Sequence, residues 1–172
     1  MRKIFLVALC ALMSVCAWST VTIPTPAGTT IDWNEAVRSN CNIENEGVGI
    51  GSTRNGSTAV FTLQNETAQD YLLTFLSGCK SLTAVVSFTL TDGADYRDSV
   101  SFDCSNTGSW TPSEVHNTIF TNVPAGTLTL TFKVESTTGS YAGNYGGLSL
   151  VSTAGFGDVP GGIDLTSGIY SN

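Results

Sequence analysis

Chemistry in this chain could come from one histidine, five cysteines, the acidic residues between Asp92 and Glu114, and aromatic side chains set in polar loops. A cysteine nucleophile needs an imidazole base. His116, however, lies in a segment that alternates as a strand does, with Val115, Asn117 and Ile119 on one side and His116, Thr118 and Phe120 on the other. It reads as a partly exposed strand residue rather than a base, and no cysteine–histidine pair has metal-ligand spacing. Of the acidic residues, Asp92, Asp95, Asp98, Asp103 and Glu114, most sit in or beside a polar turn and read as solvated loop charges. Asp95-Tyr96-Arg97-Asp98 is an exposed turn whose charges pair weakly. The remaining candidates are Trp110, in the loop Gly108-Ser109-Trp110, and Asn144, in Gly143-Asn144-Tyr145-Gly146-Gly147 just ahead of a last apolar run.

The elements that must position these residues are strands. Between Thr127 and Glu135, Leu128, Leu130, Phe132 and Val134 point one way while Thr129, Thr131, Lys133 and Glu135 point the other, the mark of a strand with one buried face. Further runs cover Val21–Pro24, Thr29–Trp33, Gly47–Gly51, Ser57–Gln64, Asp70–Leu76, Leu82–Leu90, Ser99–Cys104, Val115–Thr121 and Gly147–Ser152. Between them stand Arg54-Asn55-Gly56, Thr91-Asp92-Gly93 and Pro124-Ala125-Gly126, whose residues pre-set φ or tolerate positive φ. With no amphipathic helix among them, these segments predict an all-β, antiparallel sandwich.

The chain has 172 residues, room for one such domain with flanks. Residues 1–19 read as a secretory signal, with Arg2 and Lys3 at the start, an apolar run from Ile4 to Val15, and Ala17-Trp18-Ser19 at the cleavage position. That run is shorter than the roughly 20 residues of a membrane span. The signal holds two of the seven basic residues and none of the fourteen acidic ones. The remainder is therefore strongly acidic, which argues against nucleic acid and anionic membranes and for neutral ligands. Cys41, Cys79 and Cys104 remain, and the sequence leaves all three pairings open. Residues 20–152 form the expected domain, and residues 153–172, rich in glycine, read as a tail or a linker to a downstream domain.

Taken in order, several segments resemble a family 6 carbohydrate-binding module, a galactose-binding-like jelly roll found on secreted bacterial proteins that act on polysaccharides. They are Gly47-Val48-Gly49-Ile50-Gly51 leading through Asn55-Gly56-Ser57 into Ala59-Val60-Phe61, then Tyr71-Leu72-Leu73-Thr74-Phe75, Gly108-Ser109-Trp110, Pro124-Ala125-Gly126-Thr127 and Asn144. The resemblance spans about residues 20–152 and implies a sugar held between two aromatic faces in a loop cleft, with an asparagine binding its hydroxyls. A pyranose face packs flat on a ring, and an amide offers paired donor and acceptor contacts.

Carried over, Trp110 is one clamp and Asn144 the asparagine. Ile50 stands where a second clamp, a tyrosine, is expected, so Tyr141, Tyr145 or Tyr96 is left to replace it. Trp33 reads as a packing residue. The resemblance also implies a structural calcium ion, with Asp32 and Glu35 as contributors, although the usual acidic residues of the first strand and last loop are missing here. The function implied is non-catalytic binding of a polysaccharide or oligosaccharide outside the cell or at its surface. The alternative is a structural or adhesive sandwich whose cleft has decayed at Ile50. A hydrolase would need two carboxylates facing each other across a cleft, about 5 to 9.5 Å apart, and is not expected.

Overall fold

The computed structural model describes residues 20–23, 29–44 and 49–154. The twelve described strands are β1 (Thr20–Ile23), β2 (Thr29–Thr30), β3 (Val37–Ser39), β4 (Asn42–Glu44), β5 (Gly49–Gly51), β6 (Thr58–Asn65), β7 (Gln69–Gly78), β8 (Ala84–Thr91), β9 (Arg97–Cys104), β10 (Glu114–Val123), β11 (Gly126–Thr137) and β12 (Asn144–Ser152). They make two sheets packed face to face. One has the order β1-β6-β11-β8-β9, with β3 also on β6; the other has β10-β7-β12-β5-β4, with β2 also on β12. Strands β5 to β8 alternate between the sheets, and so do β9 to β12, so successive loops gather at the two ends of the sandwich.

Alternation in β11 does what one-sided burial requires. Leu128, Leu130, Phe132 and Val134 are buried while Thr129, Thr131 and Lys133 stay on the outer face. Phe132 meets Phe88 at 5.3 Å and Tyr145 of the opposite sheet at 4.9 Å between ring centroids. Trp33 is fully buried and packs edge-on against Phe61 and Phe132 at 5.5 and 5.6 Å, so it is a packing residue. Each such aromatic contributes roughly 1.5–3 kcal/mol through removal from water.

Three expectations need correction. The run Thr29–Trp33 is a strand only at Thr29–Thr30. A 3-10 turn at Trp33–Glu35 follows, because the Asp32 carboxylate accepts from the Asn34 N–H at 2.8 Å and caps it. Strands β3 and β4 went unread, each being three residues long and mostly polar. Pairing is not wholly antiparallel, since β1 lies parallel to β6 from Thr20↔Thr62 to Ile23↔Asn65. His116 stands on β10 as a partly exposed strand residue, its side chain 10% exposed and stacked on Phe75, 4.7 Å between centroids.

The signal segment 1–19, Pro24, Gly47, Val48 and residues 155–172 lie outside the described residues. Of the glycine-rich tail, Thr153 is tied to the sandwich by its N–H bond to the Asp70 carbonyl at 3.0 Å. Among the described residues no helix is long and apolar enough to cross a membrane.

Candidate functional site

At one end of the sandwich β7, β9 and β11 finish and β8, β10 and β12 begin, and the loops between them build a cleft. Trp110 sits on the β9–β10 loop, 37% exposed. That loop is fastened at several points. Thr107 N–H donates to the Cys79 carbonyl at 2.8 Å, Cys79 N–H donates to Thr107 Oγ1 at 3.1 Å, and Ser113 N–H donates to the Ser77 carbonyl at 2.9 Å. Within the loop, Gly108 takes φ +73° and its N–H binds Asn106 Oδ1. A Cβ on Gly78 would meet the Thr111 backbone at 2.7 Å, so the loop lies directly on the end of β7. The indole is therefore held at the rim and not in the core.

Asn144 opens β12, paired in register with Gly78. Tyr141 precedes it on the β11–β12 loop, 42% exposed, with the Arg54 guanidinium 5.3 Å from its ring centroid. A latch fixes this loop: the buried Thr53 hydroxyl donates to the Gly143 carbonyl at 2.6 Å, and the Ala142 N–H donates to the Thr53 carbonyl at 2.8 Å. From the other side, β4 delivers Glu44. The nearby Ser52 adopts φ 55°, in the left-handed region that non-glycine residues enter at a cost.

A hollow of about 300 Å³ is lined by Glu44, Ser52, Trp110, Tyr141 and Asn144. A second, of about 430 Å³, shares Glu44, Trp110 and Asn144 and runs over Gly49, Pro112 and Gly147 onto the outer face of the β7-β12-β5 sheet. The glycines along its floor carry no side chains to fill it. Together the hollows present two aromatic rings, an amide and a carboxylate, the polar-on-apolar mixture typical of small-molecule sites.

Of the predicted site residues, Trp110, Tyr141 and Asn144 come together. Ile50 and Tyr145 border the second hollow, but their side chains turn into the core. The pairing of β5 with β12 opposes Ile50 to Tyr145, and both side chains are fully buried. The Tyr145 hydroxyl is spent on the Ala142 carbonyl at 2.6 Å. Tyr96 lies on the β8–β9 turn, at the far end of the strands. Glu44 is the residue that sequence reasoning missed: a lone acid in a three-residue strand carries no signal of its own.

A polar cluster beneath the β9–β10 loop joins Ser77, Glu114 and His116. Ser77 Oγ lies 2.9 Å from both Glu114 Oε2 and His116 Nε2, and Ser105 Oγ–H also donates to Glu114. Burial pulls the His116 pKa below its ordinary value, against the pull of Glu114. Burial works to raise the Glu114 pKa, but the bonds from Ser105 and Ser77 hold it below the usual carboxylate value. Acid and hydroxyl share the same imidazole nitrogen, whereas a nucleophile relay needs the acid on Nδ1. Ser77 is also fully buried, so the cluster is structural. As for calcium, Asp32 is engaged as a helix cap, and among the described residues no three acidic, thiol or imidazole side chains converge to hold a metal ion.

No protein-family model matches the sequence, and no curated protein matches it. Solved structures do. The C-terminal family 6 carbohydrate-binding module of a marine laminarinase from Zobellia galactanivorans superposes with a TM-score of 0.57 at 19% identity, over 73% of this chain and 99% of that one. A family 35 module from Clostridium thermocellum gives 0.59 at 15% identity, over 74% and 99%. The fold is that of these carbohydrate-binding modules. A third structure with the same module fold, from Cellvibrio mixtus lichenase 5A in complex with cellotriose, gives 0.54 at 15% identity over 74% of this chain and 98% of that one.

Proposed function

We propose that this chain is a non-catalytic carbohydrate-binding module that holds a secreted or surface protein against a neutral polysaccharide. The observation carrying this reading is that the exposed rings of Trp110 and Tyr141 border one hollow with the Asn144 amide and the Glu44 carboxylate. A pyranose stacks its C–H face on a ring and turns its equatorial hydroxyls toward the amide and carboxylate, whose oxygens accept from them. An excess of acidic over basic residues suits a neutral ligand. Binding without hydrolysis fits the acid inventory: among the described residues Glu44 is the single carboxylate lining either hollow, and glycoside cleavage uses two.

The cellotriose bound by the Cellvibrio module makes β-glucans the first ligands to try. Affinity electrophoresis and depletion assays on laminarin, mixed-linkage β-glucan, xylan and mannan are expected to retain the wild type on at least one glycan and to lose Trp110→Ala. Retention by none, or retention indifferent to Trp110→Ala, would favour the structural or adhesive sandwich instead. That alternative rested on Ile50, and Tyr141 supplies the ring that Ile50 lacks.

A further inference from the structure

We propose that Cys79 and Cys104 form an intrachain disulfide across the cleft end of the sandwich, leaving Cys41 as the unpaired thiol. Strands β7 and β9 lie in opposite sheets and both run toward the cleft. Phe75 of β7 meets Phe102 of β9 across the core, 5.0 Å between centroids. A strand repeats its inward face every second residue, so the face that carries Phe75 next carries Ser77 and Cys79, and the face that carries Phe102 next carries Cys104. Both cysteines are accordingly buried, at 0% and 1% exposure. Beyond this point the sheets close up: Thr107, three residues after Cys104, is hydrogen-bonded to the Cys79 backbone through both its N–H and its hydroxyl.

Cys41 has no such partner. Its thiol contacts the Thr58 carbonyl on β6, which is three ladder steps from β9. It directly precedes β4, which is three ladder steps from β7. Three steps span about 14 Å, twice the roughly 7 Å beyond which cysteine Cα atoms cannot be bridged.

Closure needs a disulfide oxidant, such as oxidised glutathione. One cysteine thiolate attacks it and displaces a thiolate, giving a mixed disulfide. The second cysteine thiolate then attacks the first cysteine's sulfur and displaces the other half. The chain gives up two electrons and two protons, and the oxidant leaves as two thiols. Once folded, the thiols are poorly reactive, since burial pushes Cys79 up to about 11 and Cys104 up to about 12. The bond therefore forms during folding, and it ties the base of the Trp110 loop to the end of β7.

The test is to refold the full chain in a glutathione redox buffer, block free thiols and map tryptic peptides without reduction. Cleavage after Arg38, Arg54, Lys80, Arg97 and Lys133 puts Cys41 in residues 39–54, Cys79 in 55–80 and Cys104 in 98–133, apart from the leader cysteines. The expected product is a single cross-linked species joining 55–80 to 98–133, two hydrogens lighter than the sum of its parts, with Cys41 blocked. Cys41→Ser should retain it and Cys79→Ser should lose it. Three blocked thiols in folded protein, or a cross-link involving 39–54, would overturn the proposal.

Discussion

Glu44 and Asn144 lean over Gly51 so closely that a Cβ there would lie 2.5 Å from Glu44 Oε1 and 2.6 Å from Asn144 Oδ1. These residues come from strands β4 and β12, on either side of β5, and the missing side chain of Gly51 lets their oxygens share one patch of the cleft. An amide and a carboxylate set this way put two acceptor oxygens from different strands within reach of neighbouring hydroxyls.

Gly51→Ala should therefore separate binding from folding. The clashing atoms all belong to side chains, Glu44 Cγ at 2.6 Å among them, so Glu44 must turn away as a whole, and the melting temperature should fall less than for a clash with backbone. Glycan affinity should fall by about tenfold, roughly 1.4 kcal/mol, for loss of a charged hydrogen bond. Titration calorimetry beside a thermal melt checks both; unchanged affinity would remove Glu44 and Asn144 from the site.

Gly49→Ala should do the reverse. Its Cβ would sit 2.3 Å from the Tyr145 carbonyl oxygen, and backbone held in a sheet cannot rotate out of the way. A stability loss of about 1–3 kcal/mol is expected from such overpacking, read as a lower midpoint in urea. A midpoint equal to wild type would contradict the close β5–β12 pairing.

Tyr141 should act through its ring. Tyr141→Phe keeps the stacking face and should bind within about twofold of wild type, while Tyr141→Ala should lose on the order of tenfold, the range of an aromatic contact. Equal binding by both variants would leave Trp110 as the sole platform.

Acid should weaken the fold in two stages. The unfolded chain protonates His116 near its ordinary value of 6.5, whereas the folded chain does so only at lower pH. This contribution to stability is whole above about pH 6.5 and is lost as pH falls from there toward the folded value, at up to about 1.4 kcal/mol per pH unit. Glu114, lowered from 4.5, contributes above that value and loses its share as pH falls through its folded value. Urea titrations from pH 7.5 to 4 should show stability dropping first below about 6.5, and His116→Gln should flatten that upper stage while keeping a lower one from Glu114, which the Ser105 and Ser77 bonds still hold down.

How far the molecule could be read in its residues depended on how many neighbours share a pattern. Strand β11 announced itself because four apolar residues alternate on one buried face. Strands β3 and β4 are too short for any period to show. In the cleft, Trp110 and Asn144 were marked by loop chemistry and by resemblance, but the choice between Tyr141 and Tyr145 turned on where β12 begins. Starting at Asn144, the strand drives Tyr145 inward and leaves Tyr141 on the loop. The burial of the Ile50 side chain was hidden for the same reason, since it follows from partners on β4 and β12 that are distant in sequence.

The Thr53 latch has a thermodynamic consequence. With Ala142 and Gly143 already anchored to a buried threonine, the Tyr141 ledge holds its shape in the empty protein, and a sugar arriving there need not freeze a wandering backbone. Thr53→Val, which keeps the shape and removes the hydroxyl, would release the Gly143 carbonyl while leaving the Ala142 bond to the backbone of residue 53, and so would loosen that segment in part. The penalty would then surface as a less favourable entropy of association, with the interaction enthalpy nearly preserved.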